Sequence, residues 1–273
     1  MAELRNIKWG VFLKDLLSKD SLEILCKSRS LQWALTYCLR QQNHIIFNEL
    51  EDLILEYRGI KYRPHPLNYP RVFESYDRYR IEEIVKDDVV LDLGANIGSF
   101  ALPAATRALH VTAVEPLFYK DLDANRGMNH YLNLLCVQGS IGTSLVDCQE
   151  FKGTAEQMLP YWAHRTFVRM DIGGAEWLIN PESVLTPSVR HFEGEFHFWT
   201  KDQRRNQKLN EWLSLLERRG LGYILRWSKH KHWAYVSADK SYKNSTKVFL
   251  KDGSFTGRSK EIWNLSTLTL ERP

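Results

Sequence analysis

Two hydrophobic periods alternate along this chain. Short apolar runs at Val89–Leu91, Val111–Val114 and Leu134–Gln138 have the length and strength of strands buried on both faces of a sheet. Phe167–Asp171 and Val189–Phe198 read as a fourth and a fifth strand. Between them lie helical stretches: one opening near Ser99, one over Phe118–Asn129, and one beginning at Trp177–Pro181. Strand and helix in alternation predict an α/β chain with a doubly wound, mostly parallel sheet. Leu209, Trp212, Leu213, Leu215 and Leu216 lie on one helical face that Gly220 terminates. Tyr223–Trp227 and His232–Val236 then predict an antiparallel pair. Residues 146–163 are too polar to assign and read as a loop or helix at the rim of the sheet.

The first 70 residues have a different texture. Asp20-Ser21-Leu22-Glu23 offers a helix cap with Glu23 placed to complete a capping box, and apolar residues recur through Trp33, Leu35, Tyr37 and Leu39. A second helical pattern runs through Ile46, Leu50, Leu53, Ile54 and Tyr57, with Gly59 at its end, and Ile60–Pro66 suggests a short strand. Pro64, Pro66 and Pro70 mark a hinge. Three regions follow: an N-terminal helical extension over 1–70, a ligand-binding α/β domain over 71–240, and a C-terminal extension over 241–273 that can form a hairpin.

The chemistry is most legible where the first strand meets the first helix. Asp92 closes the strand, and Gly94-Ala95-Asn96-Ile97-Gly98 lets the backbone turn sharply where a Cβ would block the turn or the ligand. The second strand delivers Glu115 at its carboxyl end, where a carboxylate accepts hydrogen bonds from a ribose diol, and Pro116 ends the strand. A dinucleotide fingerprint, G-x-G-x-x-G, would have a glycine at position 96, because a pyrophosphate approaches the backbone there. Asn96 stands in its place. Asp92 and Glu115 put negative charge on either side of the loop, which suits a cationic, phosphate-free ligand. An NAD-dependent oxidoreductase and a tight turn with no ligand are the competing readings.

The D-x-G-x-N-x-G form of residues 92–98 resembles motif I of class I S-adenosylmethionine-dependent methyltransferases, and Glu115-Pro116 resembles their motif II. Residues 167–179, FVRMDIGGAEWLI, resemble the K-x-D-x-E-G-x-E signature of FkbM-like methyltransferases, with Arg169, Asp171, Gly174 and Glu176 on matching positions. Gly173 departs from that signature, which has Glu there. The stretch from Phe192 to His197 resembles the family's late strand ending in E-x-H, and the whole likeness spans about residues 72–227. It implies a seven-stranded Rossmann-like methyltransferase sheet with S-adenosylmethionine as cofactor. Asp92, Gly94, Asn96 and Gly98 would form the loop beside the methionine portion, Glu115 would hold the ribose, and Ser140 would meet the adenine. The implied reaction is O-methylation of a hydroxyl on a sugar or small metabolite.

Methyl transfer from a sulfonium mainly requires a nucleophile held in line with the methyl. Asp171, at the carboxyl end of the fourth strand where open α/β sheets place their ligands, is the first candidate to orient the acceptor or take its proton. Glu195 and His197, two apart and so on one face of the fifth strand, are candidates for a base and its orienter, or for a structural hydrogen bond. Glu176 reads as a cap on the following helix. Asp171, Glu193 and Glu195 are too few and too scattered in sequence to predict a metal. Gly173 removes a carboxylate from this neighbourhood and keeps a non-catalytic module of the same fold in play.

Composition narrows the setting. Of 273 residues, 44% are hydrophobic, enough to fill the core of one large domain. No run is long enough to cross a bilayer, residues 1–10 lack a signal-peptide core, and a cytoplasmic protein is expected. Cys26, Cys38, Cys136 and Cys148 lack metal-site spacing and read as free thiols. The net charge of +4 is uneven: residues 201–232 hold nine Lys and Arg against three Asp and Glu, interleaved with tryptophans. Such a segment can bind RNA or another polyanion, although a helix with a solvated basic face explains it more simply. The expected partners are therefore a small-molecule or glycan acceptor, or more weakly a nucleic acid or protein, with no membrane contact. The N-terminal helices suit packing on a second copy as well as on the core.

Overall fold

Residues 45–47, 53–63, 78–142, 145–147, 152–198, 203–227, 233–244 and 248–251 are described by a computed structural model of the chain. Strands β1 (Ile45–Phe47), β2 (Leu53–Tyr57) and β3 (Ile60–Tyr62) form an antiparallel meander. This corrects the helical reading of Ile46, Leu53, Ile54 and Tyr57. The deciding feature is Arg58-Gly59, two consecutive residues at φ 52° and 77°, which make the two-residue hairpin turn whose twist matches the strands on either side. Gly59 turns a hairpin instead of stopping a helix. The expected helix through Trp33 and Leu39, with its capping box, lies outside the described residues, as do Cys26, Cys38 and Cys148.

The main sheet begins with β4 (Val89–Leu93), α1 (Ala101–Ala105), β5 (His110–Val114), α2 (Tyr119–Asn129) and β6 (Leu134–Val137). A small antiparallel sheet of β7 (Ser140–Gly142), β8 (Leu145–Asp147) and β9 (Lys152–Gly153) follows. The chain then returns through β10 (Thr166–Met170), β11 (Val189–His197), α3 (Gln203–Arg218), β12 (Gly222–Trp227), β13 (Trp233–Asp239) and β14 (Val248–Lys251). The strand order is β14-β12-β13-β11-β10-β4-β5-β6. Neighbours from β11 to β6 are parallel, whereas β13 runs antiparallel to both β11 and β12. The first seven strands in sequence order, β4 to β6 and β10 to β13, match the expected mostly parallel sheet. β14 adds an eighth, parallel to β12, and the rest of the expected C-terminal hairpin lies outside the described residues.

Both faces of this sheet are covered, which is why its central strands are apolar throughout. Val90, Val111, Ala113 and Phe167 pack with Phe100, Leu102 and Leu122 on one face. Leu91, Leu93, Val168, Met170, Phe192 and Phe196 pack with Leu209, Trp212 and Leu216 of α3 on the other. The amphipathic α3 thus forms as its spacing predicts, and its end is closed by Gly220 at φ 76°, with Leu221 N donating to Leu216 O and Gly220 N to Glu217 O. The helix expected after β10 is replaced by two 3-10 turns, Ala175–Leu178 and Pro181–Ser183. Asn180 caps the second, and Pro181 at its first position favours a fresh start there over continuation of the first.

β11 carries a buried polar side as well. His191 is fully buried, stacked at 4.3 Å on Phe167, with Nδ1 2.8 Å from Asp239 Oδ2 and Nε2 2.6 Å from Glu193 Oε1. Burial disfavours its proton, but the bonds to Asp239 and Glu193 more than offset this and the pKa rises to about 8. A raised pKa in the folded state means that the protonated form stabilises the fold. That contribution is complete below the ordinary value of 6.5 and lost as pH rises through about 8. Urea denaturation is expected to show the protein less stable at pH 9 than at pH 6 by about 1–2 kcal/mol from this source, and His191→Gln should flatten that dependence.

Candidate active site

The site is organised by a cation in the middle of the sheet. Arg169 on β10 stands in register with Asp92 on β4 and Glu193 on β11, and it is 4% exposed. Its Nη1 donates to Asp92 Oδ1 (3.1 Å) and to Gly94 O (2.7 Å), and its Nη2 donates to Tyr79 Oη (3.0 Å) and Asp171 Oδ2 (2.8 Å). The guanidinium also lies over the Tyr79 ring at 4.4 Å. Burial works against its charge, but Tyr79, Asp92 and Asp171 outweigh it and raise the pKa. Burial likewise pushes the Asp92 carboxyl up to about 6 despite Arg169 beside it.

Gly94 sits against this cation at φ 83°, and a Cβ there would fall 1.9 Å from the backbone oxygen of Asp171. The turn after β4 and the turn after β10 touch only because this residue has no side chain. Asp171 N completes the junction by donating to Leu93 O. At Asn96, φ is 54°, its N donates to Glu115 Oε2 (2.8 Å) and its Oδ1 accepts from Ile97 N. Glu115 Oε1 accepts from Leu117 N (2.7 Å) and Phe118 N (3.0 Å). One carboxylate therefore joins the loop after β4 to the loop after β5.

A cavity of about 410 Å³ opens between these loops, at the carboxyl ends of β4 and β10. This is the point where the chain's winding reverses, with β5 and β6 on one side and β11 on the other, and it is where open sheets bind ligands. Gly94, Asn96, Glu115 and Ser140 line one part of it, and Asp171, Gly173 and His197 line another. Asp92 and Gly98, expected in the loop around a ligand, are not on the wall. Asp92 is fully buried beneath it on Arg169, and a Cβ at Gly98 would come within 3.0 Å of Leu102 and Leu122, so that glycine serves helix packing. Ser140 is exposed on the wall, at the start of a strand, where a turn was expected.

The structure brings Asp171, Glu195 and His197 together. His197 Nε2 is 3.5 Å from Glu195 Oε1 and 3.8 Å from Asp171 Oδ1. Glu195 is 4% exposed and stands behind the wall, where Arg78 Nη1 pairs with its Oε2 at 2.7 Å and Tyr79 Oη lies 3.4 Å from the same oxygen. Burial, then the charge of Asp171, raises the Glu195 pKa against Arg78, His197 and Arg169. The nearer partner of His197 is Glu176, whose Oε1 is 3.0 Å from Nδ1. Donor atoms of Asp171, Glu195 and His197 lie within 4.8 Å of one another, a geometry that sequence spacing did not foretell. A divalent cation there would compete with the guanidiniums that Asp171 and Glu195 already hold.

Arg78, Tyr79 and Arg169 were missed as site residues. Tyr79 and Arg78 come from a polar stretch before β4 with no readable period. Arg169 had a signal, since a cation inside the run Phe167–Met170 must be buried and paired.

The chain has a Rossmann-like, doubly wound α/β fold, with its cavity at the expected switch point. No protein-family model matches the sequence. It is similar to the 23S rRNA (uracil(1939)-C(5))-methyltransferase RlmD of Vibrio parahaemolyticus, 24% identical over 181 residues that take up 62% of this chain and 38% of that protein. The chain thus spans little more than a third of the length of that relative. Similar solved structures include Trm5b from Pyrococcus abyssi, at 15% identity over 71% of this chain and 56% of that one, TM-score 0.41. TYW2 from M. jannaschii in complex with AdoMet is another, at 16% identity over 72% and 88%, TM-score 0.41.

Gly94→Ala is expected to destabilise the fold by about 3 kcal/mol or more, combining a left-handed backbone with a backbone clash. Gly173→Ala, at φ 61° with nothing within 4 Å of the added Cβ, is expected to cost only about 1–2 kcal/mol. Urea denaturation of the two variants side by side checks the difference.

Proposed function

We propose that this chain is an S-adenosylmethionine-dependent methyltransferase whose acceptor is an oxygen or nitrogen that must lose a proton. The observation that carries the reading is that one cavity joins the glycine loop and Glu115 to Asp171 and His197. Gly94 and Asn96 would border the methionine portion of the cofactor. Glu115 would take a ribose hydroxyl, since a carboxylate offers about four acceptor positions and three backbone N–H groups use only some of them. Ser140 would meet the adenine. Asp92 and Gly98 would act from behind the wall, through Arg169 and helix packing. Asp171 and His197 then border the place where the methyl would be transferred, with Glu195 supplying charge behind them.

Two acceptor classes follow from different features. The likeness of Arg169, Asp171, Gly174 and Glu176 to the FkbM-like signature favours a hydroxyl on a small metabolite. RNA is favoured by the rRNA substrate in the name of the Vibrio relative and by cation–aromatic pairs near His197. Arg78 lies over Trp233 at 5.1 Å and Arg205 over Trp177 at 5.7 Å, the kind of pairing on which bases stack. The basic segment itself lies mostly on α3, which uses its apolar face for the core. No helix among the described residues is long and apolar enough to cross a membrane.

Calorimetric titration should show micromolar binding of S-adenosylmethionine and S-adenosylhomocysteine and none of NAD. No binding of either sulfur ligand would overturn the reading. With a labelled methyl group and an acceptor that turns over, Asp171→Asn is expected to slow transfer by about 10²–10⁴-fold, the range for a lost proton-transfer or orienting group. If the acceptor is RNA, total RNA should bind with an affinity that falls steeply between 50 and 200 mM salt. Salt-independent or absent binding would return the acceptor to small hydroxyls.

A further inference from the structure

We propose that Glu176, not Glu195, is the positioning residue of His197: it holds the Nδ1 proton and leaves Nε2 as the proton acceptor facing the cavity. This rests on the methyl-transfer reading above. Glu176 is fully buried on the 3-10 turn Ala175–Leu178, which starts from Gly173-Gly174, two residues at positive φ. That turn brings it back over the end of β11. Its Oε2 accepts from Gly174 N at 2.8 Å, so it does cap its own turn as the sequence suggests. Its other oxygen does something the sequence did not suggest. Oε1 accepts from the backbone N of His197 and lies 3.0 Å from His197 Nδ1.

The donor inventory decides the tautomer. An ionised carboxylate only accepts hydrogen bonds, so the imidazole nitrogen beside it must carry the hydrogen, and in the neutral ring the other nitrogen keeps its lone pair. That nitrogen is Nε2. Its carboxylate neighbours, Glu195 at 3.5 Å and Asp171 at 3.8 Å, are farther than Glu176 is from Nδ1. The backbone of His197 is held from the same side, because Trp177 Nε1 donates to its carbonyl at 2.7 Å and Arg205 Nη1 donates to it at 3.0 Å. Ring and main chain are thus fixed together.

The charges facing the ring come from four elements: Glu176 from the turn, Asp171 from the end of β10, Glu195 from β11, and Arg205 from α3. Arg78, Arg169 and Tyr79 in turn contact the two outer carboxylates. Burial disfavours an imidazolium here, but Glu176, with Glu195 and Asp171, outweighs it and raises the His197 pKa. In the transfer step the acceptor's O–H proton goes to Nε2 while the acceptor oxygen forms its bond to the methyl carbon. The S–CH3 bond breaks, its electron pair returns to sulfur to give S-adenosylhomocysteine, and the imidazolium later releases its proton to water.

The test uses the full chain with ring nitrogens labelled. Long-range proton–nitrogen NMR of the unmodified protein is expected to show neutral His197 as the Nδ1–H tautomer. Glu176→Gln should lower its pKa toward that of free histidine and mix the tautomers, Glu176→Asp should restore part of both, and S-adenosylhomocysteine should bind all three proteins alike by calorimetry. A neutral Nε2–H tautomer in the unmodified protein, or an unchanged His197 titration in folded Glu176→Gln, would overturn the proposal. If Glu176→Gln does not fold, the tautomer of the unmodified protein decides alone. If the unmodified protein binds no S-adenosylhomocysteine, the methyl-transfer reading fails separately, while the NMR result still decides whether Glu176 sets the ring.

Discussion

One buried guanidinium holds the site in a single arrangement. Arg169 reaches Asp92 on β4, the carbonyl of Gly94 in the turn after it, Asp171 at the end of its own strand and Tyr79 from the segment before β4. A charge taken out of water is tolerable only when its donors are met by acceptors in good geometry. Because those acceptors belong to separate pieces of chain, the penalty for misplacing any one of them falls on all. Gly94, Asp171 and Tyr79 therefore inherit their positions on the cavity wall from their bonds to Arg169, whose fourth partner, Asp92, is fully buried beneath that wall. This is the reason to read Asp92 as a support.

The same network explains why the cavity opens where it does. At the switch point β4 and β10 lie side by side, and their following turns would collide were Gly94 to carry a side chain. Arg169 draws the Gly94 carbonyl and the Asp171 carboxylate toward one cation, and Glu115 ties the two loops together from the other side, through Asn96 N after β4 and Leu117 N and Phe118 N after β5. Backbone geometry and electrostatics act in the same direction here, which is the condition for a preformed pocket.

The sheet and its glycine loop were legible because their signals are local. Apolar runs buried on both faces, glycines at positive φ and an acid at a strand end can all be read within a few residues. The meander at β1–β3 was misread because Ile46, Leu53, Ile54 and Tyr57 fit a helical stripe as well as two short strands, and the hairpin turn at Arg58-Gly59 decides between them only if Arg is allowed a left-handed backbone. The helix expected after β10 failed for a comparable reason, since Asn180-Pro181 starts a new turn within four residues of the first. What lay beyond the sequence is tertiary. Tyr79 meets Asp171 across 92 positions and Glu176 meets His197 across 21, and no periodicity encodes such pairs.

β11 shows how similar groups acquire different consequences. His191, Glu193, Glu195 and His197 alternate along it and share one side of the strand, while Phe192 and Phe196 fill the opposite face on either side of Gly194, where a Cβ would strike both rings. Each histidine is clasped by a carboxylate at Nδ1, His191 by Asp239 and His197 by Glu176. At His191 the second nitrogen meets Glu193 at 2.6 Å inside the protein, so both ring positions are committed and the residue ties β11 to β13. At His197 the second nitrogen has carboxylates at 3.5 Å and 3.8 Å, and the residue lines the cavity. A histidine enclosed on both sides can only stabilise, whereas one that also lines a cavity can exchange its proton with whatever the cavity admits. On this strand the strut and the proposed base differ in how closely the second ring nitrogen is partnered.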